Sequence, residues 1–186
     1  MKNDIKLYVE LCLVCLQNKI QALSPAGLLQ PLPIPNRIWE DKSMDFVEGL
    51  ARSKRFDSVL VVVDRLSKYA HFIALSHPFS AKTIAVEFIK EVVRLQGYLR
   101  SIVSDCDQLF LSHFWKELFC LQGTQLKRST TYHHQTNDQT KVVNKCLELY
   151  LRCFCQEKPK TWSEKLTWAE YWYNTNYHRS KLPLIR

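Results

Sequence analysis

The chain has 186 residues and a formal charge of +8, from 26 Lys and Arg against 18 Asp and Glu. That length suits one domain with a short appendage; 46% hydrophobic and 12% aromatic residues exclude wholesale disorder, and only 4 glycines exclude a collagen-like or linker-like chain. The charge is uneven, with 11 basic and 5 acidic residues in 126–186, which points to a polyanionic partner, most often nucleic acid, with simple solubility as the other reading.

Residues 1–20 read as a short helical piece ending near Cys12-Leu13-Val14-Cys15, followed by a connector with Pro31, Pro33 and Pro35 at alternate positions. Such spacing forces an extended, polyproline-like path and marks a module boundary. Strands come next. Met44-Asp45-Phe46-Val47 is short and apolar apart from one aspartate, Ser58 to Val63 is a β-branched run suited to burial on both faces, and His71 to Leu75 supplies a third. Their tight connections predict an antiparallel meander. Ser80 is placed to cap a helix through Ala81, Ile84, Ala85, Phe88, Ile89 and Val92, stopped by Gly97. Ser101-Ile102-Val103-Ser104 reads as a fourth strand leading into Asp105, Ser112 as the cap of a second helix ending at Gly123, and Thr124 to Lys127 as a fifth strand. A long helix starts near Asn137 or Asp138, with Val142, Val143, Cys146, Leu147, Tyr150, Leu151 and Phe154 as its apolar face; a last helix spans about Trp162 to Tyr173. The order β-β-β-α-β-α-β-α-α fits a mixed α/β fold, a five-stranded sheet flanked by helices in the ribonuclease-H-like arrangement.

Asp45 is a poor strand residue and costly if buried alone; Asp105 follows the fourth strand, where side chains project into a cleft. Two carboxylates brought together repel unless a cation lies between them, and Mg²⁺ takes carboxylate oxygens together with substrate phosphates. Taken alone, each aspartate reads first as an isolated surface or hydrogen-bonded side chain. Seven cysteines without framework spacing suit a reducing compartment, no apolar run is long enough to span a membrane, and Glu10 interrupts the only N-terminal apolar stretch that could serve as a secretory signal. The expected location is therefore nuclear or cytoplasmic.

Further stretches narrow this reading. They are Pro25-Ala26-Gly27-Leu28-Leu29-Gln30-Pro31, Ser43-Met44-Asp45-Phe46-Val47-Glu48-Gly49-Leu50, Val61-Val62-Val63-Asp64-Arg65-Leu66-Ser67-Lys68-Tyr69, Ile102-Val103-Ser104-Asp105, Thr131-Tyr132-His133, Gln135-Thr136, Gln139-Thr140 and Asn144 with Leu147-Glu148. In this order they resemble the integrase segment of Gypsy-type long-terminal-repeat retrotransposon polyproteins, over roughly residues 1–183. The resemblance implies residues 1–24 as a remnant of the zinc-binding module, 25–38 as a connector and 39–186 as a C-terminally truncated catalytic core. It implies DNA 3′-end processing and strand transfer with Mg²⁺ or Mn²⁺, DNA as partner, and self-association. Asp45 and Asp105 take the places of the first two catalytic and metal-binding carboxylates. The third, a glutamate following after 35 intervening residues, falls on Lys141. Where the family reads Gly-Gln-Thr-Glu-Arg-Val-Asn, this chain reads Asp138-Gln139-Thr140-Lys141-Val142-Val143-Asn144; His134 and Cys106 are further departures. Protonated Lys has only donors, so metal binding is expected to be impaired and this copy inactive. Glu148, two turns on, and Asp138, at the helix start, are the nearest carboxylates that could stand in. The two aspartates are expected to face each other on adjacent strands with Lys141 pointing at them.

Cys12 and Cys15 match half of a zinc motif whose histidines are absent, because the first histidine is His71. Two ligands do not close a tetrahedral site, so zinc is not expected. Lys141, Asn144, Lys145 and Arg152 share a helix face with Glu148, and are expected to meet DNA phosphates; an ordinary solvated face is the alternative. Two functions thus remain: a metal-dependent polynucleotidyl transferase, or a non-catalytic nucleic-acid-binding relic or repurposed module.

Overall fold

A computed structural model describes residues 1–18, 34–104, 108–121, 131–134 and 138–176. The Ser58–Asp64 run forms strand β2, and all seven of its residues are buried, as its β-branched composition requires. β1 (Asp41–Val47) lies antiparallel to β2 with Asp45 opposite Val61, and β3 (Ala70–Leu75) lies antiparallel on the other side with Phe72 opposite Val61. β4 (Ser101–Ser104) runs parallel to β1 with Val103 opposite Ser43, and the four-residue β5 (Thr131–His134) extends the sheet parallel to β4. The strand order is β3-β2-β1-β4-β5. The meander and the mixed sheet therefore form as expected. The expected strand at Thr124 to Lys127 lies outside the described residues, and the described fifth strand is Thr131–His134.

Side chains alternate along each strand, so the sheet carries two separate cores. Met44, Leu60, Val62, Ile73 and Leu75 pack against Ile84, Phe88, Phe114 and Leu118. These come from helices α3 (Ala81–Phe88) and α5 (Gln108–Leu121). Val47, Val59, Val61, Val63 and Phe72 pack on the opposite side against Val143, Leu147, Tyr150, Leu151, Trp162, Leu166 and Tyr173. These come from α6 (Asp138–Cys155) and α7 (Trp162–Thr175). Asp45 has the parity of Val47 and so faces α6.

Ser80 caps α3 as expected, its hydroxyl accepting from Thr83 N at 3.2 Å. The helix continues through a π-helical turn (Ile89–Val93) and α4 (Arg94–Gln96) to Gly97, whose φ of +77° ends it. Ser112 is not a cap: α5 begins at Gln108 and Ser112 lies inside it, exposed. The α6 stripe is narrower than its sequence suggests, since Val142 and Phe154 are 60% and 62% exposed. A helix seated on a flat sheet buries the centre of its apolar face and leaves the flanks to solvent. At the N-terminus, α1 (Lys2–Leu11) and α2 (Leu13–Asn18) are separated by an extended Cys12. The helical piece thus continues past Cys15, and Gln17 of α2 accepts a hydrogen bond of 3.2 Å from Gln156, the residue that follows α6. Among the described residues no helix is long and apolar enough to cross a membrane.

Candidate functional site

The site begins with the cost of a carboxylate in a strand. Asp45 meets it with two donors: Phe46 N–H bonds Oδ1 at 2.8 Å, and the Asn144 amide bonds Oδ2 at 2.7 Å. The second bond ties β1 to α6 across 99 residues of chain. It exists because Val143, Leu147 and Leu151 seat α6 on the sheet, and a rotation of 100° per residue then turns Asn144 toward the strand.

Residues three and four positions from Asn144 share its face. Lys141 is one turn earlier and exposed; Glu148 is one turn later and half-buried. Lys145 and Arg152 are exposed, and Arg152 Nη2 lies 3.4 Å from Glu148 Oε2. The helix therefore brings Lys141, Asn144 and Glu148 to one side, at the strand aspartate. Buried beside them are Thr140 Oγ1 and Asn144 Oδ1, neither with a hydrogen-bond partner among the described residues. Buried polar atoms without partners are uncommon in folded chains and mark places where a ligand or partner group is expected.

A divalent cation is the ligand to test against this donor set. Mg²⁺ requires several oxygens in near-octahedral order, usually including more than one carboxylate. Of the two described carboxylates on this side, Asp45 accepts two hydrogen bonds and Glu148 faces Arg152, and Lys141, a turn before Asn144, carries an ammonium group. No cluster of three or more His, Cys, Asp or Glu occurs among the described residues. Asp105 and Cys106 lie outside the described residues, as does the side chain of Asp138. Cys12 is half-buried and not in a disulfide, and the Cys15 side chain is not described.

A second polar cluster sits at the opposite end of β1. Lys42 is fully buried, and its Nζ donates to Gln96 Oε1 at 2.7 Å. Gln96 Nε2 donates to His71 Nε2 at 2.7 Å, and the His71 Nδ1–H reaches Glu170 Oε1 at 3.2 Å. Desolvation pulls the Lys42 ammonium down to about 8, partly opposed by Asp64. Asp64 itself accepts from Trp39 N, Ser67 N and Ser67 Oγ, each at 2.7 Å. In sequence, the Asp64-Arg65-Leu66-Ser67 turn was open to detection because Asp readily accepts from its own turn. Lys42 gave no signal, since a lysine at a strand start normally faces solvent.

The β-β-β-α-β-α-β-α-α order on one mixed five-stranded sheet is that of the ribonuclease-H-like fold. Solved structures share the fold. The HTLV-2 integrase catalytic core domain in complex with magnesium, in its dimeric form, aligns with a TM-score of 0.56 at 16% identity, covering 77% of this chain and 92% of that one. Its trimeric form aligns at 0.50 and 17% identity, covering 71% and 82%. No family model matches the chain. In sequence it is 34% identical over 178 residues, 96% of its length, to the Transposon Tf2-3 and Tf2-4 polyproteins of Schizosaccharomyces pombe (strain 972 / ATCC 24843). The chain spans 13% of the length of those relatives. The chain is thus similar to one stretch of those retrotransposon polyproteins and shares its fold with integrase catalytic cores.

Proposed function

We propose that this integrase-like core retains affinity for the DNA backbone and has lost metal-dependent strand transfer. The observation that carries the proposal is the 2.7 Å Asn144–Asp45 bond, which fixes the register of α6 so that Lys141 is one turn from the strand carboxylate. In this reading Asp45 and Asp105 are the first two carboxylates of the site. The β1–β4 register, which pairs Ser43 with Val103, supports it, because β4 lies directly beside the strand that carries Asp45. A unit positive charge about 4 Å from a cation repels it by roughly 4 kcal/mol at an effective dielectric near 20, and more for a divalent ion. That repulsion alone is on the order of a thousandfold in rate. Glu148 does not offer rescue, since it lies on the far side of Asn144 and engages Arg152.

The remaining cations suit phosphate contact. Lys141 and Lys145 are exposed on the Asn144 face and form no ion pair among the described residues. The dimeric and trimeric forms of the HTLV-2 cores support self-association here as well. The test is strand transfer on oligonucleotide DNA with Mg²⁺ or Mn²⁺, alongside calorimetric titration of the ions. Wild type is expected to show neither turnover nor tight ion binding, and Lys141→Glu to restore ion binding. Robust wild-type turnover that disappears in Asp105→Asn would overturn the proposal.

A further inference from the structure

The turn between β1 and β2 carries Arg52, Lys54 and Arg55, and residues 49–56 contain no acid. The turn is held rigidly on the start of α7. Ser53 and Phe56 exchange backbone hydrogen bonds of 2.8 and 2.9 Å, and Ser53 Oγ lies 2.8 Å from Ser163 Oγ and accepts from Ser163 N at 3.2 Å. Trp162 Nε1 donates to Ala51 O at 2.6 Å. A short 3₁₀ turn, Pro159–Thr161, precedes α7 and places Lys158 and Lys160 beside the same junction. Arg152, Pro159, Trp162 and Ala51 all line one cavity of about 390 Å³, so the turn, the junction and the last turns of α6 form a continuous surface.

Its charges are not all available. Lys54 pairs with Glu164 at 3.1 Å and Arg152 with Glu148 at 3.4 Å, while the Arg55 guanidinium is drawn over the Phe56 ring at 5.0 Å. Arg52, Lys158 and Lys160 are exposed and form no ion pair among the described residues. The carboxylates nearby are Glu157, exposed beside Lys158, and Glu48, which faces His77 at 3.8 Å.

We infer that Arg52, Lys158 and Lys160 form a second phosphate-contact ledge that carries a DNA duplex onward from the Asp45–Asn144 end of α6. The inference rests on the DNA-backbone reading above and extends it to a surface that reading does not use. The ledge lies on the α6–α7 side of the sheet, the side that Asp45 faces. From Asn144 to Cys155 the helix rises roughly 16 Å at about 1.5 Å per residue. Phosphates follow one another at about 3.4 Å along a strand, so the ledge meets a duplex about five base pairs from the part held at Asn144. A turn fixed by buried hydroxyl contacts presents its cation with little ordering cost on binding.

The experiment is fluorescence anisotropy with a labelled duplex of about 20 base pairs, across about 50 to 200 mM salt. Three variants are compared with wild type: Arg52→Ala/Lys158→Ala/Lys160→Ala, Lys141→Ala/Lys145→Ala, and a control, Lys82→Ala/Arg94→Ala/Lys116→Ala, on the opposite face. All replaced side chains are exposed, and thermal melting checks that each variant folds. The ledge variant is expected to flatten log K against log salt by up to about 2.7, or about 0.9 per contact, with the control unchanged. An unchanged ledge slope with a flattened α6 slope overturns the ledge and leaves the DNA reading standing. Equal flattening in the control also overturns it, since net charge alone would then account for the effect. No salt-dependent binding by wild type removes both.

Discussion

Single side chains decide how the sheet tolerates its polar residues. Asp45 is half-buried and depends on the Asn144 amide. Removing one partner of a hydrogen bond to a charged group costs about 1.5–3 kcal/mol. Asn144→Ala should therefore lower stability in urea by about 2 kcal/mol, and an unchanged midpoint would show that solvent replaces the amide freely. Lys42 presents the opposite case, a charge whose burial is unfavourable. Its folded value near 8 lies below the ordinary 10.5, so between those values the unfolded chain holds a proton that the folded chain has released. Stability attributable to Lys42 then rises with pH across that window, by on the order of 3 kcal/mol. Lys42→Met lacks this term, and its stability relative to wild type should fall by that amount from pH 8 to pH 10.5. Parallel stability curves for the two proteins would refute the assignment. Comparing the pair cancels other groups, among them Tyr173, whose phenol burial pushes up to about 12.

At the scale of elements, α7 does more than cover a core. β3 is an edge strand, and exposed edges invite pairing with other chains. Glu170 and Asn174, one helical turn apart, close part of that edge. Phe72 N donates to Glu170 Oε2 at 2.9 Å, Ala70 N to Asn174 Oδ1 at 2.9 Å, and Asn174 Nδ2 donates back to Ala70 O at 2.7 Å. The two side chains thus imitate a neighbouring strand. Glu170→Ala/Asn174→Ala should lower the melting temperature and produce concentration-dependent association by light scattering. A monodisperse variant of wild-type stability would show that the edge needs no cover. This arrangement was not legible in sequence, because it pairs residues about a hundred positions apart. What was legible followed from periodicity: the Ser58–Val63 run became the fully buried strand, extended by Asp64, and the α6 repeat aimed Asn144 and Lys141 at one side. Ser112 shows the limit, since a serine before an apolar run reads as a cap, yet α5 begins at Gln108 and takes Ser112 into its interior.

Across the whole molecule, two cores on opposite faces of the sheet hold the fold, and neither includes a residue before Met44. The first two helices stand apart from both. Ile5, Leu7, Tyr8, Val9, Leu11, Leu13 and Leu16 are all at least half exposed, and α1 buries no residue. Apolar area removed from water contributes about 25 cal/mol per Å², so helices that bury so little add correspondingly little to the stability of the sheet. A chain beginning at residue 34 should keep the urea midpoint of the full chain within about 1 kcal/mol of equivalent stability. It should also keep the same m value, because m follows the surface exposed on unfolding. Loss of the apolar residues should raise its solubility, since contiguous exposed apolar surface promotes association. The Gln17–Gln156 hydrogen bond is a surface contact and does not alter this expectation. A truncated chain that loses several kcal/mol, or whose m value drops, would mean that α1 and α2 fold as part of the core and that α6 depends on them for its place beside Asp45.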